Sequence, residues 1–290
     1  MFKEYSSYKK IRETLKGIYP MVIWLGLSSV IAAFLLILMT ATNGNMSEEA
    51  IINLEKQNAL ILQLAGYFII LPIMFLIMYF RVKNAREESA YVSYGGVAPL
   101  KYVLIIFFAT FAMFAGNELV SAIEIVLPSS LQHSYDGVAE TIFNSPFWIQ
   151  LIAAGIIGPL VEEIVFRFCL YNSLKRFSGK IVAALVTSLM FGIVHGNLSQ
   201  GLYAFILSLV FIYVYETYKS FFAPVLAHIS ANTIGVLVSN LAGNKSAINT
   251  EYVSKAYLLI YIIGFVVFAC FAVGTGAIIN HVVKPKAKSE

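Results

Sequence analysis

The stretch Gly158-Pro159-Leu160-Val161-Glu162-Glu163-Ile164-Val165-Phe166-Arg167 sets two carboxylates and a guanidinium inside an apolar run from Phe147 to Tyr171. A charge at the centre of a membrane helix costs ~2.5–3.5 kcal/mol on insertion scales, so such residues are rare and mark function. Helical spacing separates their jobs. Glu163 and Arg167 are i,i+4 with the acid on the N-terminal side, the order that favours a same-face ion pair. Glu162 is turned by ~100° from Glu163 and meets no cation at helical spacing. On this reading Glu163 and Arg167 neutralise each other, and Glu162 is the working group. Three further polar residues interrupt apolar runs: His195, four residues after Phe191, and the i,i+4 pair His228 and Asn232. That pair shares one helix face. A carboxylate held out of water is a base able to act on a water molecule near neutral pH. An imidazole can share that water or hand a proton to a leaving amine. An asparagine N–H can stabilise the oxyanion of a tetrahedral intermediate. Together Glu162, His195, His228 and Asn232 could hydrolyse a peptide bond without a covalent nucleophile, and no G-x-S-x-G stretch suggests a serine enzyme.

The same residues admit two other readings. Glu162, His195 and His228 could hold zinc with one position open to water. No H-E-x-x-H supports this, and the ligands would come from three helices. The expectation is therefore no cofactor. Buried polar side chains can also simply bridge helices, each contact contributing ~0.6–2 kcal/mol. That would suit a non-catalytic immunity or regulatory protein. Asn117, Glu118 and Glu124 are further polar groups in an apolar run, either lining a cavity or packing. His133 is expected in an outer loop and His281 at the end of the last span.

The elements that must position these groups are membrane helices. The 290 residues are 59% hydrophobic and 12% charged, with a mean hydropathy of +0.78. This balance excludes a soluble domain and points to an all-α polytopic membrane protein with an intramembrane catalytic cavity. Spans are expected at about Pro20–Ala41, Leu60–Phe80, Tyr102–Leu127, Phe147–Tyr171, Ile181–His195, Leu202–Tyr215, Ala223–Leu241 and Tyr257–Val283, about eight in all. The first is too long for a signal-peptide core of ~7–15 residues and reads as an uncleaved helix. Residues 1–19 form a cytoplasmic N-terminal segment, 20–283 the transmembrane domain, and 284–290 a basic cytoplasmic tail. Cys169 and Cys270 lie in apolar runs and read as small core hydrophobes.

Charge gives an orientation. The chain has 20 Lys and Arg. All fall on the N-terminal side except Lys56, Lys245 and Lys255 in opposite loops and Arg167 within a span. The positive-inside rule then places both termini in the cytoplasm of a multi-pass cell-membrane protein. The formal charge of +4 reflects this distribution, and no nucleic-acid partner is expected. At ~1.5 Å per residue from the cytoplasmic ends, Glu162 lies ~18 Å deep, His195 ~21 Å, Asn232 ~14 Å and His228 ~8 Å. Helix tilts averaging ~20° could bring these depths together around one cavity.

With these residues in view, the sequence resembles the CPBP intramembrane proteases, which include the type II CAAX prenyl endopeptidases and bacterial bacteriocin-processing or abortive-infection-like proteins. Three motifs carry the resemblance. E-E-x-x-x-R is Glu162-Glu163-Ile164-Val165-Phe166-Arg167, F-x-x-x-H is Phe191 to His195, and H-x-x-x-N is His228 to Asn232. They occur in order in separate spans, within a core of about residues 147–241. The resemblance implies an eight-helix core and a glutamate-type endopeptidase. Glu162 would activate water, His195 would assist, His228 and Asn232 would form the oxyanion side, and Glu163, Arg167 and Phe191 would support. It also implies a peptide or membrane-anchored protein substrate in the lipid bilayer, with a signalling or bacteriocin partner for bacterial members.

Overall fold

A computed structural model describes residues 6–44, 46–87, 99–127, 142, 145–242 and 255–283. His133, the tail 284–290, most of the mixed-charge segment 81–101 and most of the polar loop 128–146 lie outside the described residues. Among the described residues all regular structure is helical, as an all-α membrane protein requires. The long helices are α1 (Ser7–Thr42), α2 (Glu48–Glu87) and α3 (Val103–Val126). A composite motif helix starting at Phe147 follows, and then α4 (Asn172–Ile193), α5 (Leu198–Tyr218), α6 (Phe222–Leu241) and α7 (Lys255–Val283).

Among the described residues seven stretches are long and apolar enough to cross a membrane, where about eight spans were expected. The difference lies at residues 147–193. The fourth and fifth expected spans run together into one 47-residue stretch, broken at Gly179, whose φ of 82° and ψ of 172° leave helical space. Only glycine adopts such a φ without a Cβ penalty, so this residue bends the chain within α4. The residues beyond it, 180–193, form a separate, shorter helical segment in the place of the expected fifth span. Helix α1 also starts at Ser7, not near Pro20, so most of the expected N-terminal segment is helix. Ser6 caps it by accepting from the Lys9 amide.

Contacts divide the chain into two compact units. The first comprises Met1–Val92, Asp136–Ala183 and Gly235–Ser246. In it α1 packs on the motif helix through Gly17, where a Cβ would meet Leu170 Cδ1 at 3.1 Å and Ser173 Cβ at 3.2 Å. Trp24 meets Phe166 edge-on at 6.1 Å. Farther along, Asn240 Nδ2 donates to Gln150 Oε1 at 2.8 Å, and Gln150 Nε2 donates to the Ser145 carbonyl.

The second unit comprises Ser93–Tyr135, Ala184–Ile234 and Ala247–Glu290. Its core gathers Ile105, Phe108, Met113, Leu207, Phe211, Ala227 and Ile279. Phe111 stacks on Phe271 and Phe114 on Phe268, holding α3 against α7. The ends of α4 and α5 cross closely at two glycines. A Cβ on Gly192 would come within 2.6 Å of the Gly201 carbonyl oxygen.

Large apolar side chains cover the outside: Val30, Phe34, Phe68, Ile181 and Val273 are all exposed. In water such a surface would drive aggregation; in a bilayer it is the solvated face. The same inversion corrects one expectation. Cys169 is buried, but Cys270 is exposed. An apolar run in a membrane helix includes lipid-facing positions, so apolar neighbours do not imply burial in protein.

Candidate active site

The carboxylate motif sits between two unusually wide helical turns. Residues Gln150–Ile157 and Ile164–Tyr171 close π-type turns, with the α-helical Gly158–Glu163 between them. The first has a cause in sequence. Pro159 has no N–H, and its ring crowds the carbonyl four residues back, so a regular helix cannot pass through it unchanged. Widening the turn relieves the crowding: the Gly158 amide donates to the Ala153 carbonyl, five residues back. A Cβ at Gly158 would lie 2.8 Å from that carbonyl oxygen, so this turn requires glycine. Turns of this kind recur at functional sites.

Glu163 and Arg167 form the expected ion pair, Nη1 to Oε1 at 2.9 Å, with both side chains fully buried. Two charges out of water hold each other in place, and removing either would strand the other at ~3–5 kcal/mol. Glu162 is on another face and is only partly buried. Beside that face lies a residue missed in the sequence. Tyr67 of α2 is 1% exposed, and its hydroxyl is 3.1 Å from where a Gly158 Cβ would stand. Gly158 and Glu162 are one turn apart, so the phenol is on the Glu162 side. Gln63 Nε2 donates to the Tyr67 oxygen at 2.8 Å. The available signal was Gln63 and Tyr67 at i,i+4 in an apolar run.

The histidines belong to the second unit and are organised by Phe191. Helix α4 stops at Ile193, and His195 lies in the turn after it, followed by Gly196 at φ 78°. Asn197 then caps α5, accepting from the Gln200 amide at 2.8 Å. His195 Nδ1–H donates to the Phe191 carbonyl at 2.6 Å. A carbonyl can only accept, so the neutral ring carries its proton on Nδ1 and its basic lone pair on Nε2. The Phe191 ring meets His195 edge-on at 4.8 Å and His228 at 5.8 Å. Phe211 stacks on His228 at 4.6 Å. Asn232 follows His228 by one turn of α6.

The structure thus gathers Glu162, Glu163 and Arg167 on one segment of the first unit, and Phe191, His195, His228 and Asn232 in the second. Within either unit, no three His, Cys, Asp or Glu side chains among the described residues are arranged to hold a metal ion. Two of the open polar groups pack. Glu124 accepts a short hydrogen bond from Ser199, and Glu118 lies across Gly264 of α7. Asn117 and His281 are exposed.

Residues 144–234 match the family described as "Type II CAAX prenyl endopeptidase Rce1-like", a segment that holds all three motifs. The chain is 31% identical over 132 residues to "UPF0177 protein YxdF" of Lactococcus lactis, covering 45% of this chain and 71% of that one. The chain belongs to the Rce1-like CAAX protease family. Two longer matches agree with Rce1-like membership. "Putative membrane peptidase YdiL" of Bacillus subtilis is 24% identical over 211 residues, 73% of this chain and 83% of its own. "Membrane-embedded CAAX protease MroQ" of Staphylococcus aureus is 26% identical over 196 residues, 65% of this chain and 75% of its own. No solved structure matches. The protein is therefore a multi-pass member of a membrane protease family.

Proposed function

We propose that this protein is an intramembrane endopeptidase of the glutamic type, acting on a peptide or a membrane-anchored protein. The carrying observation is the buried Glu163–Arg167 pair at 2.9 Å. It commits one acid of the motif to a fixed structural partner and leaves the chemical role to the other. Glu162 removes a proton from water, and the resulting hydroxide attacks the scissile carbonyl carbon. Asn232 donates an N–H to the oxyanion, with His228 on the same side. Collapse breaks the C–N bond. The proton taken by Glu162 reaches the leaving amine through Nε2 of His195, whose other nitrogen is already held by the Phe191 carbonyl. No metal is needed for this sequence of steps. Both termini face the cytoplasm, as the Lys and Arg distribution favours.

The test is cleavage of a fluorogenic peptide library by the full-length protein in nanodiscs, with and without chelator, beside His195→Ala. Cleavage that survives chelation and is lost in His195→Ala supports the proposal. Loss on chelation with recovery on adding zinc would replace it with a zinc enzyme. If wild type cleaves nothing and the variants complement a deletion strain fully, the protein acts by binding alone.

A further inference from the structure

The first turns of α1 carry two rows of side chains with opposite chemistry. Tyr8, Ile11, Leu15, Tyr19 and Val22 recur every three or four residues, and all are exposed. On a membrane protein such a stripe faces acyl chains at the boundary with the headgroups. Lys9, Arg12 and Lys16 follow the same period along one flank. That flank leads to a buried acid. Glu13 is 4% exposed. Lys16 Nζ reaches its Oε1 at 3.2 Å, Arg176 Nη1 its Oε2 at 3.3 Å, and Arg12 Nη2 approaches to 4.0 Å. Arg81 of α2 joins them, donating to the Lys16 carbonyl and, at 3.3 Å, to Ser173 Oγ.

Among the described residues three cations thus hold one carboxylate, with Arg81 packed beside them, all within the first unit. A carboxylate has two oxygens, and Arg12, Arg81 and Arg176 each carry five N–H donors and no acceptor. The Arg12, Lys16 and Arg176 side chains stay 40–51% exposed. The cluster is short of negative charge, turned outward, and continuous with a lipid-facing stripe. We propose that it binds the headgroup phosphate of an anionic phospholipid, with the acyl chains along Ile11, Leu15 and Val22. The apolar stripe favours a lipid over free phosphate, because it supplies the surface that acyl chains cover. The inference stands whatever reaction the protein performs.

Full-length protein in neutral detergent is titrated with phosphatidylglycerol or phosphatidylcholine, and retained lipid is measured by native mass spectrometry. Wild type is expected to retain phosphatidylglycerol at lower concentrations than phosphatidylcholine. Each basic residue near a charged lipid contributes about 1 kcal/mol, or about 5-fold in affinity. Lys16→Gln with Arg176→Gln should weaken phosphatidylglycerol binding ~30-fold and leave phosphatidylcholine unchanged. Lys56→Gln, near the opposite end of α2, should change neither. If the double variant does not fold, Arg12→Gln alone should show a ~5-fold loss. Equal retention of the two lipids by wild type, or an equal loss in Lys56→Gln, would overturn the proposal. Displacement of the lipid by millimolar inorganic phosphate would assign the cluster to free phosphate instead.

Discussion

Asn232 follows His228 by one turn of α6, and in the proposed reaction its amide meets the developing oxyanion. Removing one such donor costs about 10²–10³ in kcat. Asn232→Ala should therefore lose that much in kcat with little change in KM, read by steady-state kinetics in nanodiscs. Phe191 has a different task. Its carbonyl fixes the proton of His195, and its ring touches both imidazoles. Phe191→Ala should lower kcat and, by opening a cavity, destabilise the fold by ~3–5 kcal/mol. Phe191→Tyr or Leu should recover most of the stability. The backbone bond to His195 was not legible in the sequence, because the i,i+4 spacing of Phe191 and His195 predicts a shared face but not that α4 ends between them. The Glu163–Arg167 pair was legible, because helical spacing alone brings those two groups together. Tyr67 was not singled out: an apolar run hides a phenol whose neighbour is supplied by another helix.

At the scale of elements, glycines and one proline decide how the helices run. Gly158 and Pro159 open the wide turn before Glu162, Gly179 bends α4, and Gly192 lets α4 and α5 meet. Gly192→Ala would drive a Cβ into the Gly201 carbonyl at 2.6 Å, and backbone cannot move aside cheaply. It should lower the thermal midpoint measurably and reduce activity, whereas Gly26→Ala, with open space around it, should do neither. Most spans were legible from hydropathy because ~20 apolar residues have few other uses. The count was less so. Hydropathy sees the polar stretch before Gly179 as a loop, while the chain stays helical through it until a single backbone torsion breaks the path. The helix of the N-terminal segment was not legible because its basic residues mask an apolar stripe of helical period.

For the whole molecule, the inside-out surface yields a test of how the chain meets the bilayer. Cys270 is exposed and Cys169 buried. A lipid-soluble thiol reagent should modify Cys270 in folded protein in membranes and leave Cys169 untouched until unfolding. On the orientation proposed from the Lys and Arg distribution, a reporter fused after residue 290 should report the cytoplasm. Family membership and membrane class were readable from three motifs and the composition. The two-unit division was not, since it depends on which helices pack together and the motifs fall in both units.

The central claim is that the two adjacent acids do different work. It is tested most directly by measuring kcat and the thermal midpoint side by side for Glu162→Gln and Glu163→Gln. Glu162→Gln should keep the wild-type midpoint and lose activity by ~10²–10⁴ or more, the share that a general base supplies. Glu163→Gln should strand the Arg167 charge and lose ~3–5 kcal/mol of stability. Activity retained in a folded Glu162→Gln protein would contradict the account.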